Sequence, residues 1–544
     1  MRVAAAPSPP VSRNLLAAST TDVPAAPARE RLGTEARASF GPLSPTSTFY
    51  LGLVAVALAI GAVSLLIPST PSYDPWSWLV WGREILHVRL HTTGGPTWKP
   101  LPVVFTTVFA LFGKAQPDLW LVIARAGAVC AVVMAFRLSV RFTRQITAGL
   151  RRAESGLAGW LPALLAGGVA VLGIVFSGGY ISDNALGYSE GLASAVVLIA
   201  IERHLDGRPR QAFAIGFVAA LDRPEIWLFW GPYGLWVLWR DAGARPLVIA
   251  LFALIPVLWF APEYWGSGHF LRGVSRAQHV RSNSYALARC PFCSELKKAA
   301  WPTVLLRIKV AAAALVVAAS AILGRRRLAG AGSQPWSRAL GLAALFGVVG
   351  AAWWVLIAVL TQAGFSGNNR YLVIGSALVD ICGGVAWAGA AAVVGSALAR
   401  ATGRRAGALV GVAALTLVFL LLPPDPVRQD VGLIPRTHRA LVYQAHLRDG
   451  VTDLVRRYGA GRLLSCGSIM TEGFQVPMVA WTLDVHTVRV LGPPSAGAGP
   501  PPNVILQTRA SRNLGLLPIV HTWPAVHYRY VGHSGPFRLF THCS

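Results

Sequence analysis

Residues 48–87 read TFYLGLVAVALAIGAVSLLIP, then STPS, then YDPWSWLVWGREILH, and the way this stretch divides decides the fold. Its first part, 48–68, is uncharged and apolar over about 20 residues, the length a helix needs to cross the roughly 30 Å hydrocarbon core of a bilayer. A short polar break follows. Tyr73–His87 then presents one carboxylate, Asp74, in front of Trp76, Trp78 and Trp81. An acid and tryptophans at the end of a span mean either an aromatic anchor with an incidental charge or the mouth of a polar site.

The rest of the chain extends the first half of that pattern. Hydrophobic residues make up 54% of 544 and charged residues 13%, with a mean hydropathy of +0.51, more apolar mass than a soluble core could enclose. Runs near 48–68, 119–140, 158–177, 302–323, 339–361, 372–398 and 407–422 predict spans. The shorter pieces 188–203, 211–222, 226–239 and 246–262 come in pairs divided by turn or charge signals and bring the total to eleven. The stretch 101–113, LPVVFTTVFALFG, is too short to span and is read as a helix lying in the outer interface. The fold class expected is an α-helical polytopic membrane protein with interfacial helices.

Basic residues in short loops resist translocation and so set orientation. Arg141, Arg144, Arg151, Arg152, Arg203, Arg208, Arg210, Arg240, Arg245, Arg325, Arg326, Arg327, Arg338, Arg400, Arg404 and Arg405 fall in one set of loops, against Arg223 and Arg370 in the opposite short turns. The first set is assigned to the cytoplasm, which puts the N-terminus inside and the C-terminus outside. This bias also accounts for much of the net charge of +26. No nucleic-acid recognition pattern is visible, so nucleic acid is excluded as a partner and the membrane is the expected one. The longer outer loop 263–301 carries Arg272, Arg276, Arg281, Arg289, Lys297 and Lys298 against Glu263 and Glu295. It is either a solvated basic face or a landing surface for a phosphate-bearing lipid.

Residues 1–47 lack apolar period and predict a disordered cytoplasmic tail. The first apolar run is long enough to span, so it predicts a span and not a cleavable signal. The helical membrane domain covers 48–422. Residues 423–544, after PPDP, predict a small extracytoplasmic α/β domain, with a helical period in HRALVYQAHLRDGVTDLVRRYG, short strands in GRLLSCG and NVILQTR, and a loop in GPPSAGAGPPP. Cys130 and Cys382 lie in spans and read as small apolar residues. Cys290 and Cys293 suit a structural bridge, and Cys466 with Cys543 could staple the C-terminal domain.

Asp74, Glu84, Asp183, Glu190, Asp222 and Glu225 gather near the outer boundary, with Asp380 deeper and without a visible partner. Ionisable groups at membrane depth are costly unless they line a wet cavity or pair. Lys99, Arg125, Arg223 and Arg370 share that rim. Carboxylates beside fixed cations suit proton removal from an acceptor hydroxyl while a phosphate leaves, as glycosyl transfer from a lipid phosphate requires. No Walker-type loop or dinucleotide fingerprint is present, in keeping with chemistry that uses no nucleotide.

The order of short motifs resembles the glycosyltransferase C superfamily, polytopic enzymes that include protein O-mannosyltransferases, aminoarabinose transferases and actinobacterial arabinosyltransferases. YDPWSWLVWGREIL, WKPLPVVFTTVFALFG, IARAGAVCAVVMAFRLSVRF, GFVAALDRPEIW and NNRYLVIGSALV carry the likeness over about residues 48–422. It implies an inverting transfer of a sugar such as arabinose or mannose from a polyprenyl-phosphate donor to a cell-envelope glycan, lipid or protein. By the same resemblance Asp74 is the base, and Lys99 of Lys-Pro-Leu-Pro and Arg370-Tyr371 of Arg-Tyr-Leu meet the donor phosphate. Arg223 and Glu225 occupy a corresponding mid-chain turn. Many members carry a second acid after the first, where this chain has Pro75. A transporter or flippase of a lipid-linked precursor, or a non-catalytic scaffold, are the alternatives.

Local readings compete with these roles. Asp74 before Pro75 could be an N-cap. The three tryptophans read as interface anchors, and Lys99 and Arg370 could snorkel to headgroups. Glu190 and Asp183 could cap helices. Glu84, His87 and His91 share a helical stripe and are weak candidate ligands for a divalent metal, the interfacial polar stripe being the alternative.

Overall fold

The computed structural model describes residues 45–148, 157–280, 284–300, 304–402, 407–421, 426–494 and 499–543. The described residues from Leu51 onward form one compact unit. The expected tail, 1–47, lies outside the described residues apart from 45–47, which open the first helix, and so do Arg151, Arg152, Arg281, Arg404 and Arg405.

The helices run α1 Pro45–Val63, α2 Tyr73–Leu86, α3 Pro100–Ala110, α4 Gln116–Ala148, α5 Leu157–Val175, α6 Tyr180–Ala185 and α7 Glu190–Leu205. They continue as α8 Pro209–Ala220, α9 Trp227–Arg240, α10 Arg245–Ser267, α11 Arg272–Gln278, α12 Pro291–Ala300, α13 Val304–Leu328 and α14 Pro335–Gln362. The last are α15 Val373–Thr402, α16 Gly407–Leu421, α17 Pro426–Tyr458, α18 Ala460–Cys466 and α19 Val476–Thr482. All eleven apolar segments are helical. Among the described residues, six helices are long and apolar enough to cross a membrane: Thr46–Leu66, Gly113–Ala148, Ala242–Ser267, Leu306–Leu328, Pro335–Gln362 and Asn369–Ala401. Shorter apolar helices accompany them, α3 included. The protein is therefore an α-helical polytopic membrane protein with a small C-terminal α/β layer.

Glycines let the long helices approach closely. A Cβ on Gly384 would lie 2.3 Å from the Ala166 carbonyl oxygen of α5, and one on Gly350 2.5 Å from the Gly375 carbonyl oxygen of α15. Substitution at either would push α15 away from its neighbours.

The C-terminal sheet comprises β1 Ile469–Thr471, β2 Val490–Leu491, β3 Val504–Gln507, β4 Arg529–Ser534 and β5 Phe537–Thr541. Its order is β2-β1-β3-β5-β4. β1 pairs in parallel with β2 and β3, whereas β5 runs antiparallel to β3 and β4. The parallel β1–β2 step crosses through α19, as a parallel connection requires. The β4–β5 hairpin turns at Gly535, whose φ of +52° suits glycine. NVILQTR contains β3, but GRLLSCG is corrected from strand to helix, since all of it but its last glycine lies in α18, Ala460–Cys466. A Cys466–Cys543 bridge ties α18 to the chain beyond β5, and Cys290 is bridged to Cys293. Cys130 and Cys382 are buried thiols.

This C-terminal part packs directly on α2 and α4. Arg83 of α2 donates to the Trp481 and Val485 carbonyls, both at 3.0 Å. The Trp481 indole N–H donates to Gln116 Oε1 at 2.8 Å, and Arg448 meets Asp118 at 2.7 Å. Trp76 lies 5.2 Å from the Trp481 ring, centroid to centroid. The tryptophans are therefore not interface anchors: Trp76, Trp78 and Trp81 are at most 1% exposed. Trp78 packs edge-on against Trp120, and Trp81 against Trp98.

The reading of the basic loop is corrected at two residues, while Arg289 and Lys297 are exposed. Arg272 and Arg276 of α11 are turned inward: Arg272 donates to the Pro96 and Gly95 carbonyls and pairs with Glu263, and Arg276 donates to Gly95. They fasten the loop before α3 and do not form a solvated or lipid-facing surface.

Candidate active site

Three X-Pro or capping signals place the polar groups. Lys99 and Arg223 each precede a proline at the first position of a helix, Pro100 and Pro224, and both have extended backbones, φ −140° and −141°. The residue before proline is pushed out of the helical region, so each cation projects from a helix entrance. Glu190 is the first residue of α7, after Ser189. There its carboxylate also meets the positive end of the helix dipole. Arg370 lies in the 3₁₀ turn Asn369–Leu372 that leads into α15.

These entrances converge on Glu190. Its Oε1 lies 3.0 Å from Arg223 Nη1, 3.3 Å from Arg370 Nε and 3.6 Å from Lys99 Nζ. Lys99 also donates to the Ser189 hydroxyl at 3.1 Å. Arg370 reaches on to Asp74, Nη2 to Oδ2, at 2.6 Å. Arg223 clasps Glu225 with Nε and Nη2 at 3.3 and 2.8 Å. Aromatic faces steady the guanidinium groups: Arg370 stacks 3.9 Å above Tyr188 and Arg223 4.2 Å above Tyr371. Glu190 is 2% exposed, and its Oε2 has no hydrogen-bond partner among the described residues. Asp183 stands on the rim of the same charge field, where burial pushes its carboxyl up to about 7 against the pull of Arg370, with Glu190 pushing the same way as burial.

Asp74, Lys99, Arg370, Tyr371, Arg223, Glu190 and Glu225 are thus brought into one connected group. The cap and snorkelling readings fail here. Ser72 is the N-cap of α2, Asp74 lies inside its first turn, and the carboxylate is used on Arg370. Lys99 and Arg370 are mostly buried on internal partners.

Lys99, Asp222, Arg223, Glu225 and Tyr371 also line a cavity of about 400 Å³. Its other walls are largely apolar, with Trp227, Leu228, Phe260, Leu356 and Leu360 among them. The cavity therefore joins a cationic end to a hydrocarbon-like body. Asp222 is fully buried at the polar end.

Glu84 stands apart. It accepts from the His91 backbone N–H at 2.9 Å and lies 2.7 Å from His486 Nδ1, in a recess under α19. His87 is exposed and turns Nδ1 to its own Arg83 carbonyl. Glu84, His87 and His91 therefore do not assemble as a ligand trio, and among the described residues no group of three or more His, Cys, Asp or Glu side chains is arranged for a metal ion. His486 is the member that sequence reasoning missed, because its partner is 402 residues away. Asp380 is also outside the group. It is buried on α15 with neither oxygen hydrogen-bonded among the described residues, and Lys309 of α13 is the opposing charge.

No family model matches the sequence, and no curated protein matches it. Among solved structures the chain is similar to ArnT from Cupriavidus metallidurans bound to undecaprenyl phosphate, with 15% identity, a TM-score of 0.48, and coverage of 91% of this chain and 98% of that one. The apo state of the same protein gives 15% identity, a TM-score of 0.49 and the same coverage.

Proposed function

We propose that the protein is a membrane glycosyltransferase that moves a sugar from a polyprenyl-phosphate donor to a cell-envelope acceptor on the outer face of the membrane. The arginine bias of the loops supports that orientation. The observation that carries the reading is the Glu190 group itself: three cations on one carboxylate, two of which, Lys99 and Arg223, line one end of an apolar cavity, with Asp74 linked to the group through Arg370. A prenyl chain suits the apolar walls and a phosphate suits the cations. An anion arriving there competes with Glu190 and Asp74 for Arg370, Arg223 and Lys99, so charge-assisted bonds already aligned for a carboxylate pass to the phosphate.

In the transfer the acceptor oxygen attacks the anomeric carbon as the bond to the phosphate oxygen breaks. The acceptor proton passes to Asp74, and the electron pair leaves with the phosphate, whose charge Lys99, Arg223 and Arg370 neutralise. Attack opposite the leaving group inverts the anomeric centre. Arginine's fixed fork and permanent charge suit the phosphate role.

The test follows polyprenyl phosphate released from labelled donor when envelope extract supplies the acceptor. Asp74→Asn is expected to lower turnover by about 100-fold or more, the usual scale for losing a general base, while still binding polyprenyl phosphate. Unchanged turnover in a folded Asp74→Asn protein removes Asp74 from the chemistry.

A further inference from the structure

Hydrogen-bonding capacity in the cavity is unbalanced. Asp222 is 0% exposed, lines the cavity, and neither of its carboxylate oxygens has a hydrogen-bond partner among the described residues. Ser189 is beside it; its hydroxyl oxygen accepts from Lys99, which leaves its own O–H free, but it makes no hydrogen bond to Asp222. The nearest cations are directed elsewhere: Lys99 to Ser189 and Glu190, Arg223 to Glu190 and Glu225. Trp227 and Trp259, which flank the same wall, both give their indole N–H to the Ala220 carbonyl, at 3.0 and 3.2 Å. What they offer a ligand is ring surface. A buried acceptor without a donor costs free energy, and a site with spare acceptors is completed by a ligand that brings donors.

We propose that Asp222 holds hydroxyl donors of the transferred sugar, and that the substrate class is a neutral polyhydroxyl sugar and not a uronic acid. This rests on the polyprenyl-phosphate reading above and assigns the sugar end of the same site. A carboxylate accepts two adjacent hydroxyls at once, and the apolar C–H face of a pyranose or furanose packs on an indole ring. Asp222, Glu225 and Glu263 all line this cavity. Glu225 is paired with Arg223 and Glu263 with Arg272, so the acid without an ion-pair partner that a sugar carboxylate would meet is Asp222, which selects against it by charge.

The experiment compares binding of three probes to the full chain in detergent: bare polyprenyl phosphate, the same lipid phosphate bearing a neutral pentose or hexose, and the same bearing a hexuronate. The wild type is expected to bind a neutral-sugar conjugate at least tenfold tighter than bare polyprenyl phosphate, and the hexuronate conjugate no tighter than bare lipid. Asp222→Asn keeps the size of the side chain and is expected to erase the neutral-sugar gain while holding bare polyprenyl phosphate unchanged, which also shows that the variant is folded. If no neutral sugar adds affinity, or if Asp222→Asn retains the gain, or if the hexuronate conjugate binds best, the inference is overturned while the lipid-phosphate reading stands. Failure of the wild type to bind polyprenyl phosphate at all overturns both.

Discussion

Two buried carboxylates at opposite ends of the same packed region, Glu190 and Glu84, are held in different ways. Glu190 has three side-chain cations within 3.6 Å of one oxygen. Glu84, 1% exposed, has one backbone N–H and one imidazole. The first arrangement keeps strong charges in a low-dielectric setting because each compensates another, and it presents cations that a competing anion can take. The second ties the C-terminal part to α2 with a single titratable contact. Charge compensation by several groups marks the candidate site, and compensation by one marks a joint.

The largest effect expected from breaking this contrast is at Glu190. Glu190→Gln leaves Lys99, Arg223 and Arg370 around a neutral amide, and removing one partner of a buried ion pair costs about 3–5 kcal/mol. The thermal midpoint in detergent should fall sharply. It should also be recovered in part by polyprenyl phosphate, whose anion takes the vacated role. A fall without recovery would make Glu190 a structural hub with no link to ligand.

A smaller loss is expected at the joint. Arg83→Ala removes two hydrogen bonds to carbonyls and the 3.0 Å pair with Asp484. At about 1.5 kcal/mol for each bond from this largely buried guanidinium, the loss is roughly 3 kcal/mol. Protease cleavage within the helix Pro426–Tyr458 should accelerate. Polyprenyl phosphate binding should change little, because no Glu190 partner is touched; equal loss of both would show that the joint and the site open together.

How much of this was legible in the sequence follows from the range of the forces. Each span is a local apolar run, and each appeared as a helix. Lys99 and Arg223 are named in the sequence by the resemblance of short motifs; that each projects from a helix entrance comes from the proline after it, a one-residue effect. Glu190 could be named as an acid near the boundary but not as the hub, because its three partners come from separate helix entrances. The tryptophans were misread for a related reason. An indole at the end of a span looks like an anchor until the chain near Trp481 returns some 400 residues later to cover it. GRLLSCG has strand-like composition, yet Ala460–Cys466 forms a separate short helix after α17, divided from it by Gly459 at φ +80°.

The smallest effect concerns pH at the joint, where two shifts oppose. Burial raises the Glu84 carboxyl above its ordinary 4.5, although the His91 N–H, His486 and Arg83 draw it down. The folded state therefore binds the Glu84 proton more tightly than the unfolded chain does, and stability from this group is lost as pH rises from about 4.5 through the folded value. Burial and the neighbouring His486 lower His91 below its ordinary 6.5, with Arg272 acting the same way. Here the unfolded chain holds the proton longer, so stability is gained as pH rises through the folded value toward about 6.5. The two slopes, one beginning at about pH 4.5 and the other ending at about 6.5, have opposite signs in the wild type. Glu84→Gln should expose the His91 slope, giving a midpoint that climbs across that window, and His91→Asn should expose the Glu84 slope, giving one that declines. A flat profile for His91→Asn would show that the Glu84 joint does not titrate, and the contrast with Glu190 would then reduce to partner number alone.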